Sequence, residues 1–371
     1  MASSEKIIVA VIVILSLLMF GIMPLANAEK YYLLNEWDIK VRPNTNTFAE
    51  DIAVDGAGNV FIALAGENSV QKYSGNGTLL TSWDITFSDN DALLTEWQIG
   101  SIDSVQIDSN VHGVAVDNNG NVYVVDSGFA PGHSGYWNRI QKFDNQGSFI
   151  TEWGSFESGE GPFDTWSGFT TDSARNVYVS SNDIKKFDGN GVLMPWSASS
   201  EILQSEGGSV AVDTAGNIYV TSNNSVKKFN NKGNYLTQWE FYGSDIAIDA
   251  EGNIYVVNDD RVQKFSSVGT LVAEWGDQGS KYGQFEFPES VAVDSLGNVY
   301  VSVGTSGDGF RLQKFWITPP KAVATVTTLI PKLIPIVAIT LVIVSIVAGL
   351  VISGRLLYSN SRKAKPHAKG R

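Results

Sequence analysis

One stretch decides the fold: Val291–Val301 reads VAVDSLGNVYV, and close copies of it occur five more times along the chain. In each copy, two runs rich in β-branched and aromatic residues flank a turn in which Asp offers a side-chain acceptor and Gly-Asn favours positive φ angles. The aspartates of the six copies are Asp55, Asp117, Asp172, Asp213, Asp249 and Asp294. A unit that recurs in this way predicts a repeat architecture built from β-hairpins.

A second hairpin motif follows each of the first five copies, as in VQKFSSVGTLVAEW at Val262–Trp275. The sixth copy stops after its first strand, at Leu312–Thr318, whereas Tyr32–Ile39 near the N-terminus resembles the strand that is missing. We therefore predict an all-β protein, a six-bladed β-propeller of four-stranded antiparallel blades, in which the N-terminal strand closes the last blade. Large aromatic residues usually fill cores, so we expect inter-blade packing for the equivalent tryptophans Trp37, Trp83, Trp153, Trp196, Trp239 and Trp275.

These motifs resemble the NHL-repeat family of six-bladed β-propellers. The segment WGDQGSKYGQFEFPESVAVD at Trp275–Asp294 is similar to the inter-blade pattern of that family, and NRIQKF at Asn138–Phe143 is also typical of it. The resemblance covers roughly residues 31–318. It implies a propeller that serves as a sensor or binding module, as in receptor-like kinases and tripartite-motif proteins, although the family also includes an amidating lyase.

Composition excludes several kinds of site. The chain of 371 residues has no cysteine, which excludes disulfides, thiol catalysis and cysteine-bound metals, and its three histidines argue against a multi-histidine metal centre. The net charge of −13 argues against a nucleic-acid partner. Almost all acidic residues lie between residues 29 and 331, and the C-terminal tail is basic.

Both ends of the chain carry membrane signals. Residues 1–28 read as a signal peptide, with Lys6, an apolar run and an Ala26-Asn27-Ala28 cleavage site, although an uncleaved anchor is the alternative. Residues 333–352 form an uncharged run of 20 residues followed by basic residues, which predicts a transmembrane helix with its tail inside; a buried core helix is the alternative. Ser345, Gly349 and Ser353 could pair two such helices as a helix-mediated dimer.

The predicted order is a signal peptide (1–28), a propeller (29–318), a linker (319–332), a transmembrane helix (333–352) and a basic cytoplasmic tail (353–371). This places the protein in the cell membrane as a single-pass protein with its propeller outside.

The two faces of the predicted propeller differ. The Asp-x-x-Gly-Asn turns and the turns after Lys-Phe lie on one face, here called the bottom, and have uniform lengths. The opposite face, the top, carries two insertions, Thr86–Asn110 and Ser127–Asn138. Because binding usually resides in long loops on a rigid scaffold, the predicted top-face ligand contacts are Trp97, Asp126, His133, Tyr136, Trp137 and Arg139. The alternatives are loops without a partner and a structural Asp–Arg salt bridge.

Residues that precede the first strand of a blade should ring the top of the central channel. Five of them are metal-ligating types: Glu50, Asp51, His112, Asp245 and Glu289. Oxygen ligands of this kind suit Ca²⁺, which is the candidate cation, whereas a solvated acidic rim is the alternative. No other cofactor is predicted.

The sequence thus predicts a cell-surface binding module whose partner is an extracellular protein or a small ligand. The alternative function is an extracytoplasmic metal-dependent hydrolase or lyase, similar to a lactonase or a streptogramin lyase, with its site at the channel mouth.

Overall fold

The computed structural model describes residues 29–43, 45, 47–85, 108–129, 136–156, 168–181, 183–195, 208–222, 224–240, 243–258, 260–306 and 309–318. The predicted signal peptide, linker, transmembrane helix and tail lie outside these residues, so they stay predictions. Within the described ranges, the chain has no helix with the length and apolar character needed to cross a bilayer.

The described residues form 23 β-strands. These are β1 Lys30–Ile39, β2 Phe48–Val54, β3 Val60–Ala65, β4 Ser69–Tyr73, β5 Leu79–Asp84, β6 Asp108–Val116, β7 Val122–Phe129, β8 Tyr136–Phe143, β9 Phe149–Phe156, β10 Gly168–Thr171, β11 Val177–Ser180, β12 Ile184–Phe187, β13 Val210–Val212, β14 Ile218–Ser222, β15 Ser225–Phe229, β16 Tyr235–Glu240, β17 Asp245–Ile248, β18 Ile254–Val257, β19 Val262–Phe265, β20 Leu271–Trp275, β21 Phe287–Val293, β22 Val299–Gly304 and β23 Phe310–Thr318.

The strands form six antiparallel sheets, which are the six blades of a propeller. Blades 1, 2, 4 and 5 are the consecutive strands β2–β5, β6–β9, β13–β16 and β17–β20. Blade 3 has β10–β12 and, at the place of a fourth strand, an isolated bridge between Phe187 and Leu193. Blade 6 has the order β1-β23-β22-β21. The predicted all-β, six-bladed propeller is confirmed.

The N-terminal strand closes the ring, as predicted. Strand β1 pairs antiparallel with β23, from Lys30 opposite Thr318 to Ile39 opposite Phe310. Six clusters of buried side chains each join two neighbouring blades, including a cluster that joins blade 6 to blade 1. The second strands read as unbroken apolar runs because a blade covers each side of them; all six side chains of VFIALA in β3 are buried.

The repeated motif folds into a hydrogen-bonded turn that also contacts the next blade. In blade 6, Asp294 Oδ1 accepts the backbone N–H groups of Leu296 and Asn298, at 2.9 and 2.8 Å. Its Oδ2 accepts the Tyr300 hydroxyl at 3.1 Å. Lys314 Nζ lies 4.9 Å from the centre of the Tyr300 ring and donates to the Gly75 carbonyl of blade 1 at 3.2 Å. Each of these residue types is therefore needed for the turn or for the inter-blade contact.

The outer tryptophans pack between blades, as predicted for the five that the structure describes. Trp37 of blade 6 lies on Gly77 of blade 1, whose φ is +88°, and a Cβ there would come within 2.7 Å of the indole ring. The same pairing joins Trp83 to Gly147, Trp153 to Gly191 and Trp239 to Gly269. Blade 6 has no such turn, and Trp275 of blade 5 stacks instead on Tyr31 of β1, with ring centres 3.6 Å apart. Trp196 lies outside the described residues.

Replacing Trp37 with Ala is expected to lower the free energy of unfolding by about 3 kcal/mol, because it empties the contact between blades 6 and 1. Urea denaturation monitored by circular dichroism measures the loss. Trp316→Ala is the control, since that indole is 43% exposed on the neighbouring strand and its loss should cost little. Equal stability of Trp37→Ala and the wild type would contradict ring closure through this contact.

Candidate functional site

A polar cavity of about 670 Å³ lies in the central channel, lined by the first strands of all six blades and the residues before them. The five residues that the sequence predicts as metal ligands all line it: Glu50, Asp51, His112, Asp245 and Glu289. Among the described residues that line this cavity there is no Lys or Arg. The cavity is therefore anionic, as the residues before the first strands predict.

Two of the acids, Asp51 and Asp245, share one serine. Ser290 Oγ lies 3.0 Å from Asp51 Oδ1 and 2.7 Å from Asp245 Oδ2. A hydroxyl has one proton, so the two carboxyl groups share a single donor. Burial raises the pKa of both carboxyl groups, and the charge of Asp245 raises that of Asp51 further. The trio therefore shares the hydroxyl proton of Ser290, and each aspartate is harder to ionise than an ordinary one.

The two carboxyl groups also accept hydrogen bonds from backbone N–H groups of neighbouring blades. Asp51 of blade 1 accepts the N–H of Val114 in blade 2 at 2.9 Å, and Asp245 of blade 5 accepts that of Val291 in blade 6 at 2.8 Å. Ser209 of blade 4 donates to Asp245 as well. The two side chains therefore join blades 4, 5, 6, 1 and 2 around the channel and have a structural role.

The five predicted metal ligands do not form a cluster of three within the described residues. Within the described ranges, no three His, Asp or Glu side chains come close enough together to hold a metal ion. Protein donors occupy Asp51 and Asp245, and His112 Nε2 is 2.6 Å from Ser127 Oγ. Burial lowers the pKa of His112 to about 4, so its ring is neutral near pH 7. These residues share one cavity, and the Ca²⁺ site stays a prediction.

Glu50 and Glu289 line the cavity wall, where Glu50 is exposed and Glu289 is half-buried. Burial raises the pKa of Glu50 above its ordinary value. The pKa of Glu289 rises to about 7, first through burial and then through the charge of Glu50. The pair therefore gains its second negative charge near neutral pH.

Asp126 and Arg139, two of the predicted ligand contacts, form a buried ion pair in blade 2. They lie opposite each other in β7 and β8, and both are fully buried. Arg139 donates to Asp126 through Nε at 3.1 Å and Nη2 at 2.7 Å, and its Nη1 reaches Glu152 at 3.0 Å. This is the structural salt bridge that the sequence left as an alternative, and a ligand from solvent does not reach it.

The other predicted ligand contacts remain predictions. Trp97 and His133 lie outside the described residues, as do most of the insertion Thr86–Asn110 and residues 130–135 of the second insertion. Tyr136 and Trp137 begin β8, opposite Phe129 and Gly128 of β7, so this part of the second insertion extends the hairpin of blade 2.

Sequence reasoning missed Ser290 and Ser209. The residue directly before the first-strand motif is Asp51, Gly113, Gly168, Ser209, Asp245 or Ser290 in blades 1 to 6. Polar types at this one position in three consecutive blades and in blade 1 were the signal. It could have been found by comparing the copies at that position instead of searching for ligating residue types.

No family model matches this chain, and no curated protein is similar to it in sequence. Several solved structures are similar in shape. The PQQ-bound aldose sugar dehydrogenase of Streptomyces coelicolor is 11% identical, with a TM-score of 0.48 over 78% of this chain and 98% of that one. A catalytically inactive virginiamycin B lyase of Staphylococcus aureus with quinupristin is 12% identical, with a TM-score of 0.44 over 80% and 90% of the two chains. A putative gluconolactonase is 12% identical, with a TM-score of 0.46 over 78% and 93%. Unrelated functions share such folds, so these likenesses do not indicate an activity.

Replacing Asp126 with Ala is expected to lower the free energy of unfolding by about 3–5 kcal/mol, because it leaves the buried Arg139 without its bidentate partner. Asp260→Ala is the matched control: Arg261 occupies the equivalent position in blade 5, where its side chain is 40% exposed, and the loss there should be below about 1 kcal/mol. Chemical denaturation measures both. Similar losses in the two variants would contradict the structural role of Asp126.

The buried aspartate pair makes stability depend on pH. Because the folded state raises the pKa of Asp51 and Asp245 above the ordinary value of 3.8, their contribution is greatest below that value and falls as pH rises through the raised pKa. The melting temperature of Asp245→Asn should therefore fall less than that of the wild type as pH increases. Glu251→Gln, at an exposed bottom turn, should keep the wild-type slope. A parallel profile for Asp245→Asn would contradict the raised pKa of the pair.

Proposed function

We propose that this chain is a membrane-anchored propeller outside the cytoplasm that binds a small organic cation at the mouth of its channel. The observation that carries the proposal is the cavity of about 670 Å³, whose described lining holds four acidic residues and no Lys or Arg. A volume of this size suits a small molecule, and ligand sites are typically concave with a few convergent polar groups.

Glu50 and Glu289 supply the charge for such a ligand. Each carboxyl group has a pKa above that of an ordinary Glu, and the pKa of Glu289 is about 7. A cation between them would favour the ionised form of both carboxyl groups. Its charge would offset the free-energy cost of ionising these groups where water reaches them less than in solution. A protonated amine also brings hydrogen-bond donors, which the carboxylates need.

The membrane anchor is proposed from the sequence. Residues 333–352 are long enough to cross the hydrocarbon core, and the basic residues after them favour the cytoplasmic side. The described chain ends at Thr318, at the bottom end of β23, and the proposed linker at 319–332 has 14 residues. The bottom then faces the bilayer, and the channel mouth and the insertions Thr86–Asn110 and Ser127–Asn138 face outward, where a protein partner could also bind.

The metal-dependent hydrolase or lyase remains the alternative function. It requires several ligands around one ion, and the candidates that line the cavity are bound to protein donors or stand apart. We therefore propose binding without catalysis.

Calorimetric titration of the full chain in detergent with small amines, quaternary ammonium ions and Ca²⁺ tests this proposal. We expect an organic cation to bind, and its affinity to increase between pH 6 and pH 8 as Glu289 loses its proton. Glu50→Gln combined with Glu289→Gln should abolish binding, whereas Glu240→Gln combined with Glu274→Gln, at exposed acids on outer strands, should not. Tight binding of Ca²⁺ alone, lost in the first pair, would favour the alternative.

A further inference from the structure

The outer strands of the propeller carry a ring of exposed apolar side chains. The third residue before each outer tryptophan is apolar in all six blades, and in five blades it is between 48% and 52% exposed. These five residues are Leu34, Leu80, Ile150, Leu193 and Leu236, here called the apolar belt. In blade 5, the adjacent Leu271 is 48% exposed instead.

A backbone irregularity turns most of these side chains outward. In β5, Leu79 pairs with Tyr73 and Thr81 with Lys72, so that Leu80 is an extra residue in the ladder. The same shift occurs at Leu34, Ile150 and Leu236. A β-bulge aims a side chain out of the regular alternation of a strand, and here it holds an apolar one in solvent. One exposed leucine is ordinary, but here the same exposed apolar position recurs in five of the six blades.

The belt lies at the bottom ends of the outer strands, and their top ends are polar. Strand β16 runs upward from exposed Tyr235 and Leu236 to exposed Glu240, and β5 runs from Leu80 to Asp84. The bottom turns add Val268, 76% exposed, and Leu296, 82% exposed, in blades 5 and 6. The bottom of blades 5 and 6 therefore adds two exposed apolar tips to the apolar belt, beside polar turn residues such as Glu251.

The course of the chain identifies what covers this end. The described chain leaves the propeller at Thr318 in blade 6, beside the exposed Trp316 and Tyr32, which pair across β23 and β1. The 14 residues 319–332 reach at most about 50 Å before the apolar run at 333–352 begins. A tether of this length holds the bottom close to the bilayer, where a weak surface contact becomes effectively intramolecular. Tyr and Trp are the side chains that lipid interfaces favour.

We propose that the bottom face of the propeller lies on the lipid bilayer, with Val268 and Leu296 in the headgroup layer and the apolar belt at the rim of the contact. Blades 5 and 6 enter deepest, because they carry both exposed tips and the chain exit. This inference rests on the membrane anchor of the proposed function. It goes beyond the anchor, because an anchor by itself does not require any contact between the propeller and the lipid.

Site-directed fluorescence tests the contact in the full chain, which has no native cysteine to compete for the label. Single variants Leu296→Cys, Val268→Cys and Leu236→Cys carry an environment-sensitive dye. Glu240→Cys is the matched control, since it lies on the same strand as Leu236 and about 13 Å higher. Each labelled protein is reconstituted into vesicles of phosphatidylcholine and phosphatidylglycerol at about 4:1 that contain a lipid with a nitroxide near its headgroup.

We expect blue-shifted emission and a several-fold greater loss of intensity at Leu296 and Val268 than at Glu240, with an intermediate loss at Leu236. Flotation of the same samples reports the anchor separately. Vesicles that float with the protein but leave all four dyes equally unquenched would overturn the contact and leave the anchor standing. Protein that does not float would overturn both. A blue shift with energy transfer between labelled copies and no quenching would show that a second copy covers the belt, and would also overturn the proposal.

Discussion

The packing of an indole ring on a glycine of the next blade is the contact on which the rest of the ring depends. A blade is a sheet with two apolar faces, so it is stable only when a neighbouring blade covers each face. Trp83 lies on Gly147 and Trp153 on Gly191, where the indole ring leaves no room for a Cβ. Both glycines also have φ values near +88°, a conformation that favours Gly. Because each blade fixes its neighbour in this way, the sixth must meet the first. Between blades 5 and 6, where no turn glycine is available, Trp275 stacks on Tyr31 of the N-terminal strand instead.

Acidic side chains serve two different purposes in this fold. The turn aspartates, such as Asp294, are saturated by backbone, Asn and Tyr donors, and a lysine stands near them to balance the charge. Asp51 and Asp245 join blades around the channel and share the hydroxyl proton of Ser290. Glu50 and Glu289 have no such structural role in the described contacts, and they alone keep the charge of the mouth available to a ligand. A list of acids near a channel therefore does not by itself define a metal site, since their oxygen atoms have other uses.

The top and the bottom of the propeller differ in character. Its top combines the anionic cavity with the two long insertions, and its bottom combines short uniform turns with exposed apolar side chains. The bulges at Leu34, Leu80, Ile150 and Leu236 lie where the outer strand pairs with the strand inside it. The same irregularity that bends the outer strand therefore also exposes the side chains of the apolar belt.

The sequence by itself determined the number of blades, their strand order and the closing role of Tyr32–Ile39. These features follow from turn residues and strand alternation, which are local patterns, and the same patterns occur six times along the chain. It also placed Glu50, Asp51, His112, Asp245 and Glu289 in one cavity, since equivalent positions in a ring share one location. Only the tertiary structure decided what those side chains do. The bond between Ser290 and two aspartates of other blades, and the burial of Arg139 between Asp126 and Glu152, depend on which donors of other strands lie within about 3 Å. Such distances arise from the packing of residues that are far apart in the chain, and no local pattern encodes them.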